Sequence, residues 1–163
     1  MSPQLEIRRA TFADVPTIVS LIRELAEFER LAHEVVVTED LLARQLFGER
    51  PGAEVLIACV GQEVAGFALF FQNFSTFLGR PGLYLEDLYV RPKFRGLGHG
   101  EQLLRYLARI CIERGYGRFE WSVLDWNQRA IDFYKGRGAR PMEEWTVFRV
   151  TGDALAQLGS SDS

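Results

Sequence analysis

A glycine-rich segment in the second half of the chain has the composition of a phosphate-binding loop. It runs Arg-Gly-Leu-Gly-His-Gly over residues 95–100, between a predicted strand and a predicted helix. Glycine lets successive backbone N–H groups point into one concavity, and the N-terminus of the following helix adds the positive end of its dipole. The segment therefore predicts a site for a pyrophosphate group.

Three kinds of phosphate loop compete for this segment, and a plain glycine-rich turn is the alternative to all of them. A P-loop requires Gly-Lys-Ser/Thr at its end, and the presence of Glu101 after the last glycine excludes it. A dinucleotide fingerprint requires G-x-G-x-x-G, and counting from Gly96 its last position is Glu101. That fingerprint also follows the first strand of its domain. The third pattern, Arg/Gln-x-x-Gly-x-Gly/Ala, is matched by Arg95, Gly98 and Gly100.

Two adjacent carboxylates, Glu86 and Asp87, interrupt an otherwise apolar predicted strand just before this loop. Adjacent strand residues point to opposite faces, so one carboxylate should face a cleft unless a bulge splays the strand. A carboxylate can hold an ammonium group and accept its proton, directly or through water. The alternative is that both face solvent, but an idle carboxylate in a mostly buried strand would be costly.

Charge is segregated along the chain. Residues 24–40 contain six acidic residues and one basic residue, whereas residues 91–118 contain seven basic and two acidic residues. Such runs are ordinary on solvated surfaces. The functional interpretation is a site with a cationic substrate on one side and phosphates on the other.

The elements that must position these groups follow from apolar periodicity and turn residues. The pattern predicts strands over 4–9, 54–60, 63–72, 83–90, 119–124 and 144–150, and helices over 13–29, 38–47, 98–114, 127–137 and 152–158. A loop is predicted over 73–82. This order predicts an α/β (α+β) domain, a central mixed and mostly antiparallel sheet with helices on both faces.

Length and composition limit the class of protein. The 163 residues predict one domain over 1–158 and a disordered tail over 159–163. A net charge of −3 is a poor match to a nucleic-acid binder. We expect no membrane span, no signal peptide and no metal site, and hence a cytoplasmic protein. Cys59 and Cys111 lie in apolar runs and are expected to be buried free thiols.

The whole arrangement resembles the GCN5-related N-acetyltransferase superfamily. The strand before the loop ends in Leu-Tyr-Val-Arg-Pro, and Asn127 and Tyr134 follow about 30 residues after the loop. The stretches LEDLYVRPKFRGLGHG and VLDWNQRAIDFYKGRGA resemble the diamine acetyltransferases, which include the spermidine/spermine N-acetyltransferases. The likeness covers about residues 4–150. The DWNQRA stretch and Ser75-Thr76 are most similar to the thialysine N-ε-acetyltransferase branch.

The resemblance implies acetyl-CoA as cofactor and a role for each matching residue. It makes Glu86 the base that takes the amine proton through water, with Asp87 as its electrostatic partner, and makes Tyr134 the acid that protonates the coenzyme A thiolate. The implied cofactor-binding residues are Leu88, Tyr89, Val90, Arg95, Gly96, Leu97, Gly98, His99, Gly100, Glu101, Asn127, Arg129, Ala130 and Tyr134. The implied substrate-binding residues are Phe28, Glu29, Glu86, Asp87 and Glu144.

Two loop residues carry separate expectations. His99 occupies a variable position of the motif and is expected to be an exposed loop histidine. Glu101 would repel phosphates, so its carboxylate must point away from them or weaken cofactor binding.

The function that follows is N-acetylation of a small primary amine, such as thialysine, a lysine-like amino acid, a diamine or a polyamine, by direct transfer. Spermine-type enzymes have an acidic residue in place of Ser75, so the resemblance favours a short amine. The alternatives are acetylation of a protein or peptide amine and a non-catalytic coenzyme A sensor. Relatives form homodimers, which implies the same here.

Overall fold

The computed structural model describes residues 3–160, which contain five strands and five α-helices. The strands are β1 Leu5–Arg9, β2 Glu54–Val60, β3 Glu63–Ser75, β4 Arg80–Val90 and β5 Phe119–Trp121. The helices are α1 Val15–Phe28, α2 Glu39–Phe47, α3 His99–Glu113, α4 Gln128–Lys135 and α5 Gly152–Ser160.

The strands form one sheet in the order β1-β2-β3-β4-β5. The first three neighbouring pairs are antiparallel, and β4 pairs with β5 in parallel. The predicted mixed, mostly antiparallel sheet is therefore confirmed. Its longest pairing is the β3–β4 hairpin, which carries both of the predicted carboxylates on β4.

Helices cover the sheet because its strands are apolar on both faces. Helices α1 and α2 share one buried cluster with alternate strand residues, including Val55, Ile57 and Phe67. The residues between them, Leu56 and Ala58, are also buried and point to the opposite face. Helix α3 contacts β4 and buries one apolar stripe, formed by Leu103, Leu104, Leu107, Ile110 and Cys111.

The hairpin before the site is longer than predicted. The predicted loop over 73–82 is wrong at both ends, because β3 continues through Ser75 and β4 begins at Arg80. Cross-strand pairing persists to Ser75 opposite Arg80, so the glycines and proline of this segment lie in or beside paired strands. Ser75 itself is buried, and its hydroxyl accepts a hydrogen bond from the Leu78 N–H at 3.2 Å.

The predicted strand over 144–150 is wrong, because the structure forms no strand there. Trp145, Val147 and Phe148 are 71%, 85% and 90% exposed. Alternating apolar residues specify a strand only where a neighbouring strand supplies hydrogen-bond partners. Helix α5 begins as predicted and continues through Ser160, and residues 161–163 of the predicted disordered tail lie outside the described residues.

The chain divides into two compact units, one ending at Leu124 and the other beginning at Asp125. The first unit contains the sheet and helices α1–α3, and the second contains α4 and α5. In residues 3–160, no helix combines the length and apolar character needed to cross a bilayer.

Candidate active site

A β-bulge in β4 sets the geometry of the two adjacent carboxylates. Leu69 pairs with Asp87 and the next β3 residue, Phe70, pairs with Leu85, so Glu86 is the extra residue. A bulged residue is left out of the ladder and bends its strand. Glu86 is accordingly exposed, and Asp87 is half-buried. Because of this bulge, Glu86 and Asp87 need not point to opposite faces of the sheet, as the sequence analysis allowed for a splayed strand.

The end of helix α1 brings a third carboxylate, Glu29, to this pair. Glu29 is the C-terminal cap of α1, and the next residue, Arg30, has a φ of 62°. A left-handed residue that is not glycine costs roughly 1–2 kcal/mol, and here it ends the helix just after Glu29. The carboxyl of Glu29 is close enough to interact with those of Glu86 and Asp87.

Burial and neighbouring negative charge raise the affinity of two of these carboxyl groups, Asp87 and Glu29, for protons. Burial raises the pKa of Asp87 to about 7, with further contributions from the negative charges of Glu86 and Glu29. Burial likewise raises the pKa of Glu29, and the charge of Glu86 adds to the effect. Nearby carboxylates repel one another, and a cation bound between them reduces that repulsion. The arrangement therefore suits an ammonium group and a proton acceptor that titrates near neutral pH.

The pairing between β4 and β5 ends next to the bulge. The parallel pairing joins Leu83–Leu85 to Phe119–Trp121 and ends there, one residue before the bulge. Within residues 3–160, the stretch 86–90 of β4 pairs only with β3, so its other edge has no strand neighbour, and the Val90 carbonyl accepts a hydrogen bond from Arg95 Nε at 2.8 Å. An open edge of this kind accepts an extended ligand as an added strand.

The predicted phosphate loop forms a turn that depends on two left-handed glycines. Gly96 has a φ of 81° and Gly98, the N-cap of α3, has a φ of 82°. A Cβ built at either position would meet nothing within 4 Å, so neither glycine is needed to avoid a clash. The conformation itself requires glycine. With the start of α3 behind it, this turn has the geometry of an anion-binding nest.

The carboxylate of Glu101, just after the loop, forms an ion pair within helix α3. Glu101 accepts hydrogen bonds from Nε and Nη2 of Arg105 at 3.3 and 2.9 Å, one helical turn along. This i,i+4 ion pair offsets the repulsion that Glu101 would exert on a phosphate.

The expectation of an exposed histidine in the loop is wrong. His99 is the first residue of α3 and is half-buried. Both of its ring nitrogens are inaccessible, and among the described residues neither has a hydrogen-bond partner. Its imidazole therefore packs among neighbouring residues, whereas Gly96, Leu97 and Gly98 just before it are exposed.

Arg95, the first residue of the motif, connects the loop to the carboxylate side. Its Nε donates to the Val90 carbonyl at 2.8 Å, and its guanidinium carbon lies 4.9 Å from the ring centroid of Phe28 and 5.5 Å from that of Tyr89. Residues implied for the cofactor and for the substrate are therefore in contact within the first unit.

The sequence analysis did not identify Glu24, whose carboxylate links α1 to the end of β4 through hydrogen bonds. Its carboxylate accepts hydrogen bonds from Nε and Nη2 of Arg91, and the Tyr89 hydroxyl donates to it at 3.4 Å. Glu24 lies one helical turn before Phe28, so the same helix face carries both residues. The i,i+4 spacing in IRELAEFE was the available signal, but the partner on β4 is set by tertiary structure.

The second unit contains the remaining predicted residues. Asn127 caps α4, its Oδ1 accepting from the Ala130 N–H at 3.3 Å. Tyr134 is half-buried and packs edge-on against Phe133 at 5.7 Å between ring centroids. Arg129 is exposed on α4, and Glu144 is exposed in the segment that forms no strand.

A family comparison decides the class of protein. Residues 18–139 match the model described as "Acetyltransferase (GNAT) family". This range covers more than half of the chain and includes the phosphate loop. The chain belongs to the GNAT acetyltransferase family.

Known GNAT relatives are similar to this chain over nearly its whole length. The thialysine N-epsilon-acetyltransferase of Mus musculus is 39% identical, covering 93% of this chain and 95% of the relative. L-ornithine N5-acetyltransferase NATA1 of Arabidopsis thaliana is 36% identical, covering 93% and 86%. A solved integron cassette protein from V. cholerae superposes with a TM-score of 0.81 at 30% identity, covering 96% and 98%.

GNAT membership confirms the predicted family, fold class and enzyme class, an amine N-acetyltransferase. The structure brings Glu29, Glu86 and Asp87 together and places Arg95 against Phe28, Tyr89 and Val90. The individual catalytic and binding roles stay predictions.

Proposed function

We propose that this GNAT enzyme transfers the acetyl group of acetyl-CoA to a short primary amine such as thialysine, ornithine or a small diamine. The observation that carries the proposal is the group of three carboxylates at the bulge where β4 leaves β5, beside an open strand edge. The mouse and Arabidopsis relatives are named for thialysine and ornithine, which are short amines.

The loop and strand fit the two ends of coenzyme A. The left-handed Gly96 and Gly98, with the start of α3, suit a diphosphate, and the open edge of residues 88–90 suits the amides of pantetheine. When bound, acetyl-CoA supplies an activated thioester to which the amine adds directly. Asn127, Arg129 and Ala130 at the start of α4 complete the proposed cofactor-binding residues, together with Leu97, His99, Gly100 and Glu101 of the loop.

The carboxylates prepare the amine for reaction. A free aliphatic amine has a pKa near about 10, so most of it is protonated at neutral pH. The carboxylates hold the ammonium, and Glu86, exposed on the bulge, takes its proton through water. Tyr134 donates a proton to the departing thiolate. Glu144 is proposed to bind the far end of the amine.

Neither cysteine is well suited to act as the nucleophile that would form an acetyl-enzyme intermediate. Cys59 and Cys111 are free thiols, half-buried and buried respectively, which corrects the expectation that both are buried. Burial raises the pKa of the Cys111 thiol, and a thiol is a much weaker nucleophile than its thiolate. We therefore propose direct attack of the amine, and a burst of acetyl-enzyme with acetyl-CoA alone would contradict it.

The position of Ser75 supports a short substrate. Its buried hydroxyl is used by the Leu78 N–H, so Ser75 offers no negative charge to the distal cations of a polyamine. The test is acetyl transfer to thialysine, lysine, ornithine, putrescine, spermidine and a short lysine peptide. We expect the highest kcat/KM with a short amine, whereas highest activity with the peptide would favour protein acetylation.

Glu86→Gln should raise the pH at which the rate reaches its plateau. Without the base, deprotonation is left to solution, so the rate keeps rising toward the pKa of the amine, about 10. The measurement is kcat/KM against pH for wild type and variant. Glu49→Gln, an exposed glutamate outside the site, is the matched control.

The direction of the change separates the two carboxylates. Glu86 raises the pKa of Asp87, so its neutral replacement lowers that pKa. A plateau that moves to lower pH would make Asp87 the titrating group, and an unchanged profile would remove Glu86 as the base.

The family and its relatives favour an enzyme over the non-catalytic coenzyme A sensor that the sequence left open. A single catalytic domain over residues 1–158, a homodimer and a cytoplasmic location complete the proposal. The homodimer rests on the resemblance to dimeric diamine acetyltransferases.

A further inference from the structure

The side chain of Arg95 lies on a surface assigned above to the substrate. Its guanidinium carbon is 4.9 Å from the ring centroid of Phe28, which is 45% exposed at the end of α1. Tyr89 flanks it at 5.5 Å, and the Val90 carbonyl accepts its Nε–H at 2.8 Å. Among residues 3–160, Arg95 forms no ion pair, so its charge has only aromatic faces and a carbonyl as partners.

The same surface has the features that bind an ammonium group. An aromatic face attracts cations, and Phe28 is followed directly by Glu29, whose carboxyl interacts with that of Glu86. A substrate cation between these groups would meet the guanidinium of Arg95 on the same ring. Two cations cannot share one aromatic face without repulsion.

We propose that in the cofactor-free protein Arg95 occupies the Phe28 face in place of the substrate's cation, and that the diphosphate of coenzyme A draws it away. This inference rests on the proposed function and adds an order of binding to it. Amine binding then depends on cofactor occupancy through one side chain. Departure of Arg95 also frees the Val90 carbonyl, one of the backbone groups assigned to pantetheine.

The relative strengths of the contacts favour the exchange. An exposed cation–π contact changes an affinity by about two- to fivefold. A hydrogen bond between charged groups, such as guanidinium and phosphate, changes it by about ten- to hundredfold. Arg95 also gives up its hydrogen bond to the Val90 carbonyl, but a diphosphate offers several charged acceptors and therefore binds Arg95 more strongly. Its departure removes the competing cation from the Phe28 ring.

Arg95→Gln should change the two affinities in opposite directions. We expect weaker coenzyme A binding, by about fivefold, because glutamine, which the motif also allows, can donate to a phosphate but carries no charge. We expect tighter binding of ornithine to the cofactor-free protein, by about two- to fivefold, because the competing cation is gone. Calorimetric titration with coenzyme A and ornithine separately measures both constants without turnover. In the wild type, saturating coenzyme A should tighten ornithine binding by a similar factor.

Two further variants make the test specific. Phe28→Leu should preserve coenzyme A affinity and reduce the effect of coenzyme A on ornithine binding, because the shared ring is absent. Arg44→Gln removes an exposed arginine on α2, outside the site, and should leave every constant unchanged.

If Arg95 has only a structural role, Arg95→Gln should bind both coenzyme A and ornithine more weakly than the wild type. That result would overturn the inference. Unchanged ornithine binding in the cofactor-free variant would overturn it as well. If wild-type protein saturated with coenzyme A fails to bind ornithine, both this inference and the proposed short-amine class are contradicted. Ornithine binding to that complex with no effect of Arg95→Gln contradicts the inference alone.

Discussion

Gly98→Val should abolish detectable acetyl-CoA binding while leaving the fold intact. Gly98 is the N-cap of α3 with a φ of 82°, and a β-branched residue is strongly disfavoured there. A built Cβ meets nothing within 4 Å, so the damage comes from backbone rotation and not from overlap. Rotation turns the neighbouring N–H groups out of the concavity that the diphosphate needs.

The expected loss is at least about hundredfold in affinity, because each hydrogen bond to a charged group contributes about 1.5–3 kcal/mol. Titration calorimetry with acetyl-CoA measures it, with circular dichroism as the check on folding. Gly98→Asn should retain more binding than Gly98→Val, since asparagine tolerates the left-handed region.

Gly79→Val is the matched control for backbone strain. Gly79 lies between β3 and β4 with a φ of 67°, and a Cβ there also meets nothing within 4 Å. The two valine variants should lose similar stability, and only Gly98→Val should lose the cofactor. Full acetyl-CoA affinity in folded Gly98→Val would show that the diphosphate binds elsewhere.

Tyr134→Phe should reduce kcat by about 10²- to 10⁴-fold, the usual contribution of a general acid. The affinity for acetyl-CoA should stay nearly unchanged, because the phenol acts on the departing thiolate and phenylalanine preserves the half-buried ring. Steady-state kinetics and direct titration with acetyl-CoA separate the two quantities.

Tyr106→Phe, a half-buried tyrosine on α3 outside the proposed site, is the control for removal of one hydroxyl. Loss of acetyl-CoA affinity together with kcat would make Tyr134 a structural residue. Unchanged kcat would remove it from the mechanism.

Local sequence predicted most elements of the fold because their signals are local. The apolar stripe of α3, the threonine that caps α2 and the alternation in β1 were each recognisable without tertiary contacts. Residues 144–150 show where such reasoning fails. Their alternation is a strand pattern, but strand formation depends on a partner that the segment itself does not specify.

The sequence identified which residue types form the site, but it did not predict which of them come into contact or how buried they are. Glu86, Asp87 and Glu29 were identified individually, but their mutual approach depends on a bulge and on the left-handed end of α1. The rise in the pKa of Asp87 follows from that approach and from burial. The position of Arg95 on Phe28 and Tyr89 likewise joins residues far apart in the chain.

The central claim is that backbone N–H groups of residues 95–101 bind the diphosphate of coenzyme A. Titration of ¹⁵N-labelled protein with coenzyme A, followed by amide chemical shifts, tests it most directly. The account predicts the largest shifts at the amides of Gly96, Gly98 and the first turn of α3. Saturable binding that leaves these amides unmoved, with shifts clustered elsewhere, would contradict it.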